Sequence, residues 1–189
     1  MLHVYSISLG CPKNLVDSEH LLGSLGPFKA VERIAKADLV FINTCGFILP
    51  AVQESINAII DTAEEIKALP AGKRPLLAVA GCLVSRYLPQ GLAKEIPEVD
   101  LWLNVADIAR WPELLGERLG FNPAPGRLVS TGPGYAYLKI SDGCNHNCAF
   151  CTIPSIRGPL RSFPVPELVR EAQTLVADGI RELILVGQD

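Results

Sequence analysis

Three hydrophobic runs in the first half of the chain each break off at a cysteine: Ile7-Ser-Leu-Gly-Cys11, Phe41-Ile-Asn-Thr-Cys45 and Ala78-Val-Ala-Gly-Cys82. Between these runs lie amphipathic stretches of helical length. Strands alternating with helices imply an α/β fold, a mainly parallel sheet with helices on its faces. The expected strands are His3–Leu9, Asp38–Asn43, Pro75–Ala80 and Asp100–Val105. Asp17 is expected to N-cap a helix running to about Leu25. Pro50 opens a longer amphipathic helix through about Leu69, with apolar residues at Val52, Ile56, Ile59, Ile60, Ala63 and Ile66. Two more helices are expected over Val84–Glu95 and Asp107–Leu119. In a parallel sheet the carboxyl ends of the strands share one edge, and the loops there form the ligand crevice. Cys11, Cys45 and Cys82 are therefore expected to converge as metal ligands. Gly10 and Gly81 precede two of them and allow backbone to approach a bulky inorganic core. The competing reading is three unrelated buried cysteines, since free Cys packs readily in cores.

A second triplet is compact. Cys144-Asn-His-Asn-Cys148-Ala-Phe-Cys151 has C-x3-C-x2-C spacing and follows a strand-like run over Tyr135–Ser141. Three thiolates in one short loop can cap three corners of a cubane iron–sulfur cluster and leave the fourth iron open for chemistry, whereas Cys-only clusters usually take four ligands. Structural zinc usually draws four ligands from paired Cys or His couples. The one nearby fourth candidate, His146, is cramped between the first two cysteines. Disulfides need an oxidising compartment, and Met1-Leu-His-Val-Tyr-Ser6 has neither a basic n-region nor an apolar h-region.

Composition narrows the class. At 189 residues and 49% hydrophobic, the chain can bury a core for one domain and part of another. Its net charge of −3, with scattered Lys and Arg, shows no basic stripe of the kind that marks a nucleic-acid face. No apolar run is long enough to span a bilayer, so no membrane partner is expected. The cysteines then read as metal ligands in a reducing cytoplasm. A Pro/Gly-rich tract ending at Gly134 divides the chain into a domain over 1–120, a linker over 121–134 and a second unit over 135–189. The second unit holds a strand, the cysteine loop, a helix over about 165–178 and a strand over Glu182–Val186. A lone βαβ step cannot close a barrel, so the chain is expected to be a fragment of a longer protein and inactive by itself.

Several motifs occur together: Ser8-Leu-Gly-Cys-Pro-Lys-Asn14, Asp17-Ser-Glu19, Ile42-Asn-Thr-Cys-Gly-Phe47, Ala80-Gly-Cys-Leu83 and Cys144-Asn-His-Asn-Cys-Ala-Phe-Cys-Thr-Ile-Pro-Ser-Ile-Arg-Gly158. In combination they resemble the radical S-adenosylmethionine (SAM) methylthiotransferases. Gly-Cys-Pro-Lys-Asn, where the tRNA-modifying branch has Gly-Cys-Gln-Met-Asn, is similar to the branch that modifies an aspartate of small-subunit ribosomal protein S-twelve. One departure is Arg161-Ser-Phe163, where the family often has Arg-Ser-Arg. The resemblance implies two 4Fe-4S clusters, one on Cys144, Cys148 and Cys151 that binds SAM, and an auxiliary one on Cys11, Cys45 and Cys82. It implies that reduction of SAM yields a 5′-deoxyadenosyl radical, which takes a hydrogen from the aspartate β-carbon, and that sulfur arrives from the auxiliary cluster. It implies an electron donor such as flavodoxin or ferredoxin, and a partial TIM-like barrel with a further substrate-contacting domain behind it. It places Phe150 near the adenine and offers Arg157, Arg161 and Gly187 as cofactor or substrate contacts. A solvated loop arginine and a plain strand-end glycine are the competing readings, and Lys13 and Asn14 are candidates to orient the auxiliary loop. The remaining alternatives are the tRNA-modifying branch and, from another class, a non-catalytic iron–sulfur or zinc module.

Overall fold

A computed structural model describes residues 1–146 and 148–188. Asn147, inside the cysteine loop, and the terminal Asp189 lie outside the described residues. The amino-terminal strands are β1 (Leu2–Ser8), β2 (Phe28–Ala30), β3 (Leu39–Thr44), β4 (Leu76–Gly81) and β5 (Leu101–Asn104). All pair in parallel, in the order β2-β1-β3-β4-β5. The helices α1 (Pro12–Ser24), α2 (Leu49–Ala68), α3 (Cys82–Tyr87), α4 (Leu92–Glu95) and α5 (Trp111–Leu119) connect them. Side chains alternate across a strand, and β3 shows why its run is continuously apolar. Val40 and Ile42 pack with Val52, Ile59 and Leu83 of α2 and α3. Leu39 and Phe41 pack with Leu21 of α1 and Trp111 and Leu115 of α5. All six residues of β3 are buried because the strand is covered on both faces.

The structure corrects several expected elements. The helix expected over 84–95 is two short helices, because Pro89 lies between them and Gly91 adopts a left-handed φ of 102°. The helix expected from Asp107 begins at Trp111, after a 3-10 turn over Val105–Arg110. Asp17 is not an N-cap. Helix α1 starts at Pro12, with Cys11 in the capping position, and Asp17 lies mid-helix and buried.

In the second unit β6 (Tyr135–Lys139) pairs in parallel with β9 (Glu182–Val186), with α7 (Val165–Ala177) as the crossover. The short strands β7 (Ser141–Asp142) and β8 (Arg161–Ser162) pair antiparallel and bracket α6 (Ile153–Arg157). Ala136, Leu175 and Ile180 form a small core, while Val169, Val176 and Leu185 remain exposed. Segment 121–134 has no regular element, but it is laid along α1. Ala124 N donates to Ser24 O and Leu128 N to Glu19 O. Gly23 and Gly126 allow this contact, since a Cβ on Gly23 would stand 2.4 Å from the Arg127 backbone.

Buried ion pairs cross between the two units. Arg127, 8% exposed, donates to Glu19 Oε2 (2.7 Å), Glu171 Oε1 (2.6 Å) and Tyr137 O (2.6 Å), joining α1, α7 and β6. Glu171 also meets His20 Nε2 at 3.1 Å. Burial alone would raise the Glu171 carboxyl, but His20 and Arg127 outweigh it and hold the group below its ordinary value. A carboxyl depressed in the fold contributes stability above its unfolded value, near 4.3, and loses it as pH falls through the lower folded value. The melting-temperature deficit of Glu171→Gln is therefore expected to be full at neutral pH and to shrink below about pH 4. A pH-independent deficit would show that the residue acts through packing alone.

Candidate metal centre and the bridge to it

The sheet delivers the first three cysteines side by side. β1, β3 and β4 are consecutive neighbours, with Ser8 opposite Asn43 and Thr44 opposite Gly81. Cys45 and Cys82 are the residues immediately after the paired Thr44 and Gly81. Cys11 lies just past β1, at the start of α1. Gly10 adopts φ +93°, folding its loop onto β3, and a Cβ there would lie 2.8 Å from Cys45 Cβ and 3.2 Å from its Sγ. Asn14, fully buried, stitches the edge together. Its Nδ2 donates to Leu9 O (3.0 Å) and Thr44 O (2.8 Å), and its backbone carbonyl accepts from Asn43 Nδ2 (2.8 Å). Ser55 of α2 holds both ends of Cys45, accepting from its N–H at 3.0 Å and donating to its carbonyl at 2.9 Å. The set grades from buried Cys82 through Cys45 to exposed Cys11. Burial pushes the Cys82 thiol up, the Arg157 guanidinium pulls it part of the way back, and Cys11 and Cys45 add to the rise.

The second triplet sits on the loop between β7 and α6. Cys144 N donates to Gly158 O (3.1 Å) and Leu160 N to Asn145 Oδ1 (2.9 Å), closing the loop at its base. Gly143 is required there. Its φ is +75°, and a Cβ would strike Pro159 O at 2.2 Å. Cys148 is exposed, Cys144 and Cys151 are half-buried, and all six cysteines are free thiols. Phe150 is 91% exposed, a large apolar side chain with little of its surface covered. Gly187 has a structural use: a Cβ would meet Ser141 Oγ at 2.6 Å, where β9 passes β7.

Arg157 differs most from expectation. It is neither solvated nor facing open space, being 1% exposed. Its Nε donates to Cys82 Sγ at 3.4 Å and its NH2 to Asn14 Oδ1 at 2.5 Å, while NH1 bridges Asp17 Oδ2 (3.1 Å) and Asp142 Oδ2 (2.8 Å). Burial opposes its charge, but Cys82, Asp17 and Asp142 outweigh that and hold its pKa above the ordinary arginine value. Asp142 is lowered: burial would raise it, and Arg157 and Lys139 overcome that. Lys139 completes the bridge by donating to Asp17 and, at 3.3 Å, to Asp142. Lys13 is buried nearby and lowered, by burial first and by Arg157 second. Arg161 is not part of the bridge and stacks over the Phe163 ring at 5.6 Å. Sequence reasoning missed Asp142 and Lys139, and it gave Asp17 a different task.

Among the described residues, no three His, Cys, Asp or Glu side chains close around a single ion. A cubane spreads its thiolates more widely than one ion does. Soft sulfur ligands at the edge of one sheet, with glycines where backbone must pass closely, fit an iron–sulfur cluster. Cys144, Cys148 and Cys151 fit a second one by ligand type and spacing.

Residues 3–104 match the Uncharacterized protein family UPF0004, and residues 138–189 match the Radical SAM superfamily. The chain belongs to the UPF0004 family. Over 192 aligned residues it is 62% identical to "Ribosomal protein uS12 methylthiotransferase RimO" of Nitratidesulfovibrio vulgaris (strain DP4), covering 100% of this chain and 44% of that protein. It is 60% identical to the protein of the same name from Oleidesulfovibrio alaskensis, again over 100% and 44%. The Lawsonia intracellularis protein of that name is 50% identical, over 100% and 43%. The chain thus spans less than half the length of the curated relatives it matches.

Proposed function

We propose that this chain is the amino-terminal part of a radical SAM methylthiotransferase that modifies an aspartate of ribosomal protein uS12. The observation that carries the reading is the position of Cys11, Cys45 and Cys82 just past the ends of three adjacent strands, in a chain that also carries the C-x3-C-x2-C loop. The identity with the uS12-modifying relatives favours that substrate over tRNA. Cys144, Cys148 and Cys151 hold one 4Fe-4S cluster, and Cys11, Cys45 and Cys82 hold the other. Once bound, the clusters and SAM supply cleavage of an unactivated C–H bond and a sulfur to put in its place, chemistry beyond side-chain acids and bases. The protein's own part is positional. The strand ends present Cys45 and Cys82 in register, Gly10 lets the Cys11 loop close over Cys45, and exposed Phe150 offers a face for the adenine. The remainder of the barrel and the substrate contacts lie in the portion that the longer relatives possess. The protein works in the reducing cytoplasm with a flavodoxin- or ferredoxin-type donor.

Anaerobic reconstitution of the full-length protein tests this. It is expected to hold about eight irons, and Cys144→Ala/Cys148→Ala/Cys151→Ala about half as many. With SAM and reductant, mass spectrometry of uS12 is expected to show a methylthio group in place of one aspartate β-hydrogen. Full iron retention by the triple variant would sink the cluster assignment. Cleavage of SAM with no change in uS12 would sink the substrate.

A further inference from the structure

We propose that Arg157 is a positioning residue that ties the two cysteine sets together, donating from beyond the Cys144–Cys151 loop to the sulfur of Cys82 and so raising the reduction potential of a cluster held by Cys11, Cys45 and Cys82. The inference rests on the cluster reading above. Arg157 is the last residue of α6, six positions after Cys151, yet its guanidinium lies in the other unit. Each of its three nitrogens has a protein partner: Cys82 on Nε, Asn14 on NH2, and Asp17 with Asp142 on NH1. A planar fork held along both edges loses little freedom on bonding. A lysine ammonium cannot serve these directions at once. Asn14, which shares the guanidinium with Cys82, also binds the backbone of both the Cys11 and Cys45 loops. The network therefore touches the Cys82 sulfur and the backbone just ahead of Cys11 and Cys45.

Two consequences follow from charge and geometry. Hydrogen bonds to cluster sulfurs and nearby charge tune the potential of iron–sulfur centres. A reduced cluster carries one more negative charge than its oxidised form, and a guanidinium on a ligand sulfur stabilises that state, raising the potential. The same side chain fixes the distance from the carboxyl-terminal loop to the sheet edge. The packing of α6 against α3, whose first residue is Cys82, limits sliding between them.

The test uses full-length protein carrying Cys144→Ala/Cys148→Ala/Cys151→Ala, so that only the amino-terminal cluster forms. Its reduction is followed by electron paramagnetic resonance during an anaerobic redox titration. At equal iron content, Arg157→Gln is expected to lower the midpoint. At the potential that half-reduces the parent, the reduced-to-oxidised ratio should fall about tenfold. Arg157→Lys is expected to restore part of the shift, because it keeps the charge and loses the fork. A residue that only braced the fold would change melting temperature or iron loading but not the midpoint, so equal midpoints at equal iron overturn the proposal. If Arg157→Gln does not load, Arg157→Lys with all six cysteines present is read by pulsed dipolar spectroscopy between the two clusters. A broader distance distribution is expected, and an unchanged distribution overturns the proposal. Absence of iron from the triple-alanine parent would instead overturn the cluster reading, and this inference with it.

Discussion

Arg127→Met is expected to destabilise the protein by about 3–5 kcal/mol, the range for breaking a buried ion pair from one side. Glu19 is 2% exposed and receives the Arg127 guanidinium at 2.7 and 3.1 Å. Without the arginine, its charge is left buried with no cation beside it. Ser130, donating from N and Oγ at 2.7 Å each, supplies hydrogen bonds but no positive charge. The same substitution unties Glu171 and the Tyr137 carbonyl. For a chain of this size the loss corresponds to a fall of roughly 10 °C in melting temperature, readable by calorimetry. Adding Glu19→Gln should recover part of it, since the pair is coupled. A single variant melting within about 2 °C of the parent would mean that Glu19 reaches solvent after all.

Gly81→Ala is expected to cost about 3 kcal/mol or more and to empty the amino-terminal cluster site. Gly81 has φ 103° and ψ −161°, a region essentially closed to side chains. An added Cβ would stand 2.3 Å from Asn43 Oδ1 and 2.4 Å from Thr44 O. Both neighbours belong to the central strand, so relief must come from parting β3 and β4 where Cys45 and Cys82 emerge. Iron in the reconstituted protein is expected to fall from about eight to about four per chain. Gly26→Ala is the control. Gly26 also has a positive φ, 71°, but nothing lies within 4 Å of its added Cβ. It should lose about 1 kcal/mol and no iron. Equal behaviour of the two variants would assign the effect to backbone strain alone.

The parts of the fold that were legible in the sequence were those whose cause is local. β3 declared itself because a strand buried on both faces must be apolar throughout, and α2 because one stripe faces that strand. The placement of Cys11, Cys45 and Cys82 past three strand ends was legible from a topological rule, and those three strands, β1, β3 and β4, are neighbours in the sheet. What escaped was either small or distant. β2 is three residues long at a sheet edge, with two of them exposed, so no alternation could form. The break between α3 and α4 hid under unbroken apolar periodicity, although Pro89 and Gly91 signalled it. Asp17 carries the same local signal as an N-cap. Its true partners, Lys139 and Arg157, lie 122 and 140 residues away, and no pattern within a window reports a contact of that span.

That separation bears on how the chain is made. Helix α1 is among the first elements to leave the ribosome, and it carries Asp17 and Glu19 on the face that ends up buried. The cations that neutralise them, Arg127, Lys139 and Arg157, lie more than a hundred residues behind. While residues 1–120 are being made, Asp17 and Glu19 have none of these cations to pair with. The arriving arginines and lysine then discharge the face and draw the second unit onto it. In a nascent chain, the contact that joins the two cysteine sets has all its partners only once Arg157 has been synthesised, after every cysteine of both.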